Sequence, residues 1–407
     1  MKTLEADVKK AFDWTSWAKS RPAVELEISI IREMLKVSLI PGVISFGGGL
    51  PAAELFPTEE LAAACLRVLK QHPADSLQYS LSMGVPLMRE FLAARVSASD
   101  HTVTVDNVFV TGGSQQGLDL VGRLFLEKGS YVVTESPTYV GAIQAFNFYG
   151  ARYCALPMDE EGLVVDRLEE SIKKYSPRLI YVVPNFQNPS GRTLSYRRRA
   201  VLIESAARYN VPVVEDNPYV ELRYSGQRLP SLASMAPDGV IQLGTFSKLI
   251  SPGLRIGWIC APPEINKFFE KVKQAVDLHT NTFCQYVIAE FAKDGALDRH
   301  IEKIKKAYSH RRDVMLFALD GNFPSHVTWT KPEGGLFIWA TLPEAVSALK
   351  LLPEAVKEKV SYIPGGPFFA EGGGENTMRM NFSNASPEAI VEGIKRLGRV
   401  LHQHAKI

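Results

Sequence analysis

Lys248 lies in the stretch GTFSKLISPGLRIGW, residues 244–258, with Thr245 and Ser247 before it, a proline-glycine turn after it and Arg255 seven positions on. A lysine taken alone is nearly always solvated. Here two hydroxyls and a planar guanidinium can grip a phosphate, and an amine beside them can attack an electrophilic carbonyl. Asp216 follows the apolar run VPVVE; a carboxylate there needs a partner that offsets its desolvation, although alone it also reads as ordering the DNPY turn. TGGSQQ, residues 111–116, sets Ser114 and Gln115 after two glycines where a strand turns into a helix. Free N–H groups at that positive helix end suit a phosphate. Tyr139, Asn188 and Tyr219 occur in ESPTY, QNPSG and EDNPY, where each tyrosine taken singly reads equally well as a core aromatic.

The elements that must position these groups are legible as short apolar runs at 107–113, 130–136, 178–185, 211–217 and 240–247, with helix-period segments between several of them. This pattern predicts an α/β fold: a mostly parallel sheet covered by helices on both faces, whose ligands collect beyond the carboxyl ends of the strands. Every group named above falls at such an end. After about residue 295 the texture changes. A long charged helical segment leads to HVTWTKPEGGLFIWATL, two strands joined at Gly334 and Gly335, then to the short strand TMRMNFS. A closing helix has Ser386 as its cap and Pro387 in its first turn. We divide the chain into an arm and helix at 1–54, a large domain at 55–295 and a smaller α+β domain at 296–407.

Composition narrows the partners. The 407 residues are 46% hydrophobic and 22% charged, ordinary for a globular protein. A net charge of +2, from 46 basic and 44 acidic residues, provides no field to attract nucleic acid or an anionic membrane. The four cysteines form no CxxC pair and read as reduced thiols rather than disulfides or a metal site. The charged amino terminus lacks a signal core, so a cytoplasmic protein is expected.

Taken together, the strand-end groups describe one ligand. It has a phosphate for Ser114, Thr245, Ser247 and Arg255, an electrophilic carbonyl for Lys248, and a basic ring nitrogen for Asp216. Pyridoxal 5′-phosphate has this form. The ordered motifs GGSQQ, ESPTY, QNPSG, EDNPY, TFSK with Arg255, and MRMNFS resemble the aspartate-aminotransferase-like superfamily of pyridoxal-phosphate enzymes over nearly the whole chain. The segments VISFGGGLPAAELFP, LQYS, GAIQAF and PGGPFFAEGGGENTMRMNFS are most similar to its 2-aminoadipate and kynurenine aminotransferase branch.

The resemblance implies the type I fold, with a mostly parallel seven-stranded sheet, and a set of roles. Lys248 would carry the cofactor as a Schiff base and move the substrate proton; Asp216 would keep the ring nitrogen protonated. Tyr219 and Asn188 would hydrogen-bond the phenolic oxygen, Tyr139 would stack on the ring, and Gln115 would join the phosphate group. Asn188 would precede a cis proline. Tyr79 would reach the phosphate of a neighbouring subunit, so a homodimer with shared sites is implied. Arg379, with Asn188 and the Gly48 backbone, would bind the substrate α-carboxylate. Arg32 matches the position from which the branch reaches a distal carboxylate, though an arginine on an amphipathic helix also reads as solvated. Thr245 departs from the common serine but keeps the hydroxyl.

The implied activity is transfer of an amino group between an L-amino acid and a 2-oxo acid, with 2-oxoglutarate and glutamate as the shared pair and 2-aminoadipate, aromatic or branched aliphatic amino acids as the other partner. A lyase or decarboxylase on the same scaffold is the enzymatic alternative. A regulatory sensor is the remote one, since no basic helix-turn-helix pattern precedes the catalytic region.

Overall fold

The strand runs are apolar on both sides because each side faces its own layer. Val132, Tyr181, Val214 and Ile241 belong to one buried cluster, whereas their chain neighbours Val133, Ile180, Val213 and Val240 belong to another on the opposite face. Alternation of side chains along a strand produces this division. The computed structural model describes residues 17–20, 23, 24, 37, 40–99 and 101–404. Its large sheet comprises β1 (Val108–Thr111), β2 (Tyr131–Ser136), β3 (Arg152–Asp159), β4 (Gly162–Leu163), β5 (Leu179–Val182), β6 (Val213–Asp216), β7 (Val240–Thr245) and β8 (Gly257–Cys260). The order is β1-β8-β7-β6-β5-β2-β3-β4.

Pairing is parallel from β7 through β6, β5 and β2 to β3, and antiparallel where β8 meets β7 and β1. β8 therefore begins at the edge where its neighbours end. The sheet has eight strands rather than the expected seven. The extra one, β4, is a two-residue edge strand antiparallel to β3, formed where Gly162 at φ 88° turns the chain back.

A second sheet of β9 (Thr328–Trp329), β10 (Phe337–Thr341), β11 (Ile363–Pro364) and β12 (Thr377–Asn381) runs antiparallel throughout, in the order β9-β10-β12-β11. Three helices bear on the placement of the site: α1 (Ser114–Phe125), which leaves the end of β1, α2 (Ala296–Asn322), and α3 (Pro387–His404), which packs along α2. The Ser386 hydroxyl accepts from the Ala389 N–H at 3.2 Å, the cap expected for α3. Ile44–Ser45 pairs in parallel with Val360–Ser361, so the chain just before the glycine run is fastened beside the second sheet. The Ala52 N–H reaches the Tyr308 hydroxyl on α2 at 3.1 Å, and Glu54 pairs with Arg311. The helix expected around Arg32 lies outside the described residues.

Candidate active site

A cavity of about 240 Å³ opens beyond the carboxyl ends of the parallel strands. Its wall collects Ser114 and Gln115 from the end of β1, Tyr139 from beyond β2, Asn188 from beyond β5, and Asp216 and Tyr219 from β6 and its turn. Thr245, Ser247 and Lys248 follow from β7, Arg255 from the turn before β8, and Arg379 from β12. Of the residues singled out in the sequence, Tyr79 and Gly48 are not in this wall. Tyr79 is 79% exposed, its ring edge-on to His279 at 5.7 Å. Gly48 lies between two residues that make the contacts: the Gly47 carbonyl accepts from Arg379 Nη2 at 2.9 Å, and the Gly49 carbonyl accepts from Lys248 Nζ at 2.8 Å.

One end of the cavity is built for an anion. Gly113 caps α1 at φ 88°, a conformation that favours glycine, and a Cβ there would stand 2.7 Å from Arg255 Nη2. Arg255 itself sits at φ 53° after Pro252–Leu254, a turn whose Ser251 hydroxyl accepts from the Gly253 N–H. Its Nη2 donates to the Gly112 carbonyl at 3.0 Å, which holds the guanidinium against the start of α1. Thr245 Oγ1 lies 3.0 Å from Ser247 Oγ and accepts from the Ser247 N–H at 3.1 Å. A guanidinium, two hydroxyls, Ser114 and the positive end of α1 thus converge, a set suited to phosphate.

The floor carries a buried acid. Asp216 Oδ2 accepts from the Tyr181 hydroxyl at 2.9 Å, whereas Oδ1 is buried without a partner. Burial pushes this carboxyl up to about 7, against the pull of the Tyr181 hydrogen bond. Lys248 is pushed the other way, down to about 8, first by burial and then by the Arg379 and Arg255 cations. Asn188 Nδ2 faces the Tyr219 hydroxyl at 3.4 Å, and Asn188 Oδ1 accepts from Arg379 Nη1 at 2.9 Å.

Arg379 is 1% exposed and its guanidinium lies over two rings, Phe337 at 4.3 Å and Phe368 at 5.1 Å. Burial pushes it down to about 10, and Nε has no partner. A buried guanidinium with an unsatisfied donor matches a carboxylate ligand. Phe337 escapes sequence reading because, within GGLFIW, it resembles any other apolar strand residue. Both Asn188–Pro189 and Ser136–Pro137 are cis; only the first was implied by the motif.

Residues 43–397 match the family model for aminotransferases of class I and II. The chain belongs to this family. It is 44% identical to aromatic-amino-acid aminotransferase 1 of Thermococcus litoralis, covering 95% of this chain and 94% of that one. A solved α-aminoadipate aminotransferase, LysN of Thermus thermophilus complexed with N-(5′-phosphopyridoxyl)-L-leucine, superposes with a TM-score of 0.90 at 42% identity, covering 96% of this chain and 99% of that one. A Pyrococcus horikoshii kynurenine aminotransferase in complex with PMP gives a TM-score of 0.92 at 41% identity, covering 99% and 100%.

This aminotransferase uses pyridoxal phosphate, and its cavity fits that group on its own evidence. The unpaired Asp216 Oδ1 is an acceptor for a ring N–H, and the anion cradle lies in the same cavity. Among the described residues no helix is long and apolar enough to cross a membrane.

Proposed function

We propose that this aminotransferase moves the amino group of 2-aminoadipate, aromatic or branched aliphatic L-amino acids to a 2-oxo acid, with 2-oxoglutarate and glutamate as the shared pair. The convergence of Lys248, the unpaired Asp216 Oδ1 and the stacked Arg379 on one cavity carries this reading. Relatives named for aromatic amino acids, aminoadipate and kynurenine support the substrate range.

Pyridoxal phosphate, when bound, supplies an aldehyde carbon for the amine and a ring that accepts electrons from the substrate Cα. Ser114, Thr245, Ser247 and Arg255 would hold its phosphate, with Gln115 beside them; Gln115 Nε2 donates to the Gly141 carbonyl at 2.9 Å, which ties the start of α1 to the helix that follows Tyr139. Asp216 would accept from the ring nitrogen, and ionising beside a cation would offset the burial that raises its pKa. Tyr139 would cover one ring face; Tyr219 and Asn188 would meet the phenolic oxygen. Lys248 would attach the cofactor and would hold or move the proton at the substrate Cα. Burial, and after it the neighbouring Arg379 and Arg255 cations, favour the neutral amine that this requires. Arg379, with Asn188 and the Gly48 backbone, takes the α-carboxylate, and Arg32 takes a distal one.

The reading includes a cytoplasmic homodimer in which Tyr79 of one copy completes the phosphate site of the other; the exposure of Tyr79 supports it. It also includes the division at 54 and 295 into arm, cofactor-binding domain and small domain. The test is a single-turnover reaction. An L-amino acid added alone should convert the visible absorption of the lysine-bound cofactor to the near-ultraviolet band of its aminated form, with one equivalent of 2-oxo acid released. Continuous release of ammonia or carbon dioxide would count against transamination. Lys248→Ala should lack the starting band, and Arg32→Ala should slow 2-aminoadipate more than leucine or phenylalanine. An equal loss on acidic and neutral donors would remove Arg32 from the substrate site.

A further inference from the structure

Glu135 is the penultimate residue of β2, is 1% exposed and is no part of the cavity wall. None of the roles above uses it. Among the described residues no cation pairs with it, so its burial must be supported by hydrogen bonds alone. Its Oε2 accepts from the Val183 N–H at 3.2 Å and from Gln187 Nε2 at 3.1 Å. The same Nε2 donates to the Pro137 carbonyl at 2.7 Å, while Gln187 Oε1 accepts from the Ser190 N–H at 2.8 Å.

These contacts join two loops. β2 and β5 are paired neighbours, and the chain leaves them through Pro137 and through Gln187. The first loop leads to Tyr139, and its Thr138 N–H donates to the Phe368 carbonyl at 2.8 Å, the residue whose ring lies over Arg379. The second carries Asn188, which accepts from Arg379. Val183, the other donor to Glu135, is itself in the cavity wall. The aromatic face, the asparagine and the carboxylate receptor therefore share one support outside the cavity.

We propose that Glu135 is a positioning residue: a hydrogen-bond acceptor that holds Gln187 across both loops and so sets Tyr139 against the cofactor ring and Asn188 against Arg379. Burial pushes the Glu135 carboxyl up to about 8; the Gln187 and Val183 donors pull it down, and the Asp216 carboxylate adds to the rise. Asp216 and Tyr181 are the titratable groups that face it. The inference rests on the roles assigned above to Tyr139 and Asn188.

Three variants of the holoenzyme test it. Glu135→Gln keeps an oxygen able to accept both bonds, Glu135→Ala does not, and Gln187→Met removes the shared donor while keeping bulk. Glu135→Ala and Gln187→Met should each raise the dissociation constant for pyridoxal phosphate and the KM for the amino acid by about tenfold, the scale of one lost buried hydrogen bond. Glu135→Gln should stay within about twofold of wild type in both, with an unchanged pH titration of the cofactor absorption. Wild-type binding in Glu135→Ala and Gln187→Met would overturn the proposal. So would a Glu135→Gln variant as weak as Glu135→Ala, or one with a shifted titration, since charge rather than acceptance would then be at work. If Glu135→Ala does not fold, Gln187→Met carries the test. A wild-type protein that takes up no pyridoxal phosphate would instead remove the functional reading beneath it.

Discussion

At the scale of single residues the site is a set of groups kept away from their ordinary ionisation. Asp216 gives the clearest consequence, because its burial carries a cost in the apoprotein. Its folded pKa of about 7 lies above the ordinary 3.8, so the folded apoprotein holds the proton more tightly than the unfolded chain. The resulting penalty is absent below about pH 4, grows as pH rises and is complete above about pH 7. Asp216→Asn should therefore stabilise the apoprotein at pH 8 by on the order of 2 kcal/mol, with the advantage vanishing near pH 4. Thermal melts across that range would measure it. In the role proposed for Asp216, the same substitution should lower kcat/KM by on the order of a hundredfold or more, since the ring nitrogen would lose its anionic partner. A variant no more stable at pH 8 than at pH 4, relative to wild type, would remove burial as the cause of the shift. The burial of Asp216 was legible in VPVVED; that Tyr181 satisfies one oxygen and leaves the other bare was not, because Tyr181 lies on a different strand.

At the scale of elements, strand ends do the positioning, and the reversed strand β8 contributes as much as the parallel ones. Gly257, its first residue, pairs with Thr245 on one side and Thr111 on the other. A Cβ on it would meet the Gly113 carbonyl carbon, the Gly244 oxygen and the Ser114 nitrogen, each at 2.7 Å. The close approach of three backbones at the phosphate end depends on that missing side chain. Gly257→Ala should cost about 1–3 kcal/mol in denaturant unfolding, an overpacking cost, and weaken cofactor binding with it. Unchanged binding of pyridoxal phosphate would show that the cradle can shift. Sequence reading found five of the parallel-direction strands from their Val/Ile runs but passed over β3, where charged and proline residues interrupt the pattern, and β8, whose four residues look like the tail of the Arg255 turn. Short strands carry too little periodicity to separate from a loop.

At the scale of the molecule, Leu77, Tyr79 and Leu81 are 68%, 79% and 56% exposed, and Leu278, next to the His279 that packs on Tyr79, is 54% exposed. Apolar side chains clustered on a surface suit an interface. Light scattering should give the mass of two chains for wild type and of one for the double variant Leu77→Glu, Leu81→Glu, with cofactor affinity falling in the variant as Tyr79 leaves its neighbour's site. A wild-type monomer with full cofactor affinity would sink the shared-site reading.

The amino-acid sequence alone determined which candidate groups stand beyond the carboxyl ends of the strands, the side of the sheet on which the cavity opens. Residue type, strand propensity and strand-end position are local properties, and Lys248, Asp216, Ser114 and Arg255, each ambiguous alone, become legible when their strand ends are read together. Tertiary structure decided the pairings between distant segments. Lys248 meets Gly49 across 199 residues, Arg379 meets Asn188 across 191, and Arg379 meets Gly47 across 332. Glu135 meets Gln187 across two loops, and Arg379 lies over the rings of two phenylalanines that read as ordinary core. No local pattern encodes such contacts, because a hydrogen bond near 3 Å between remote segments exists only once both sheets have packed.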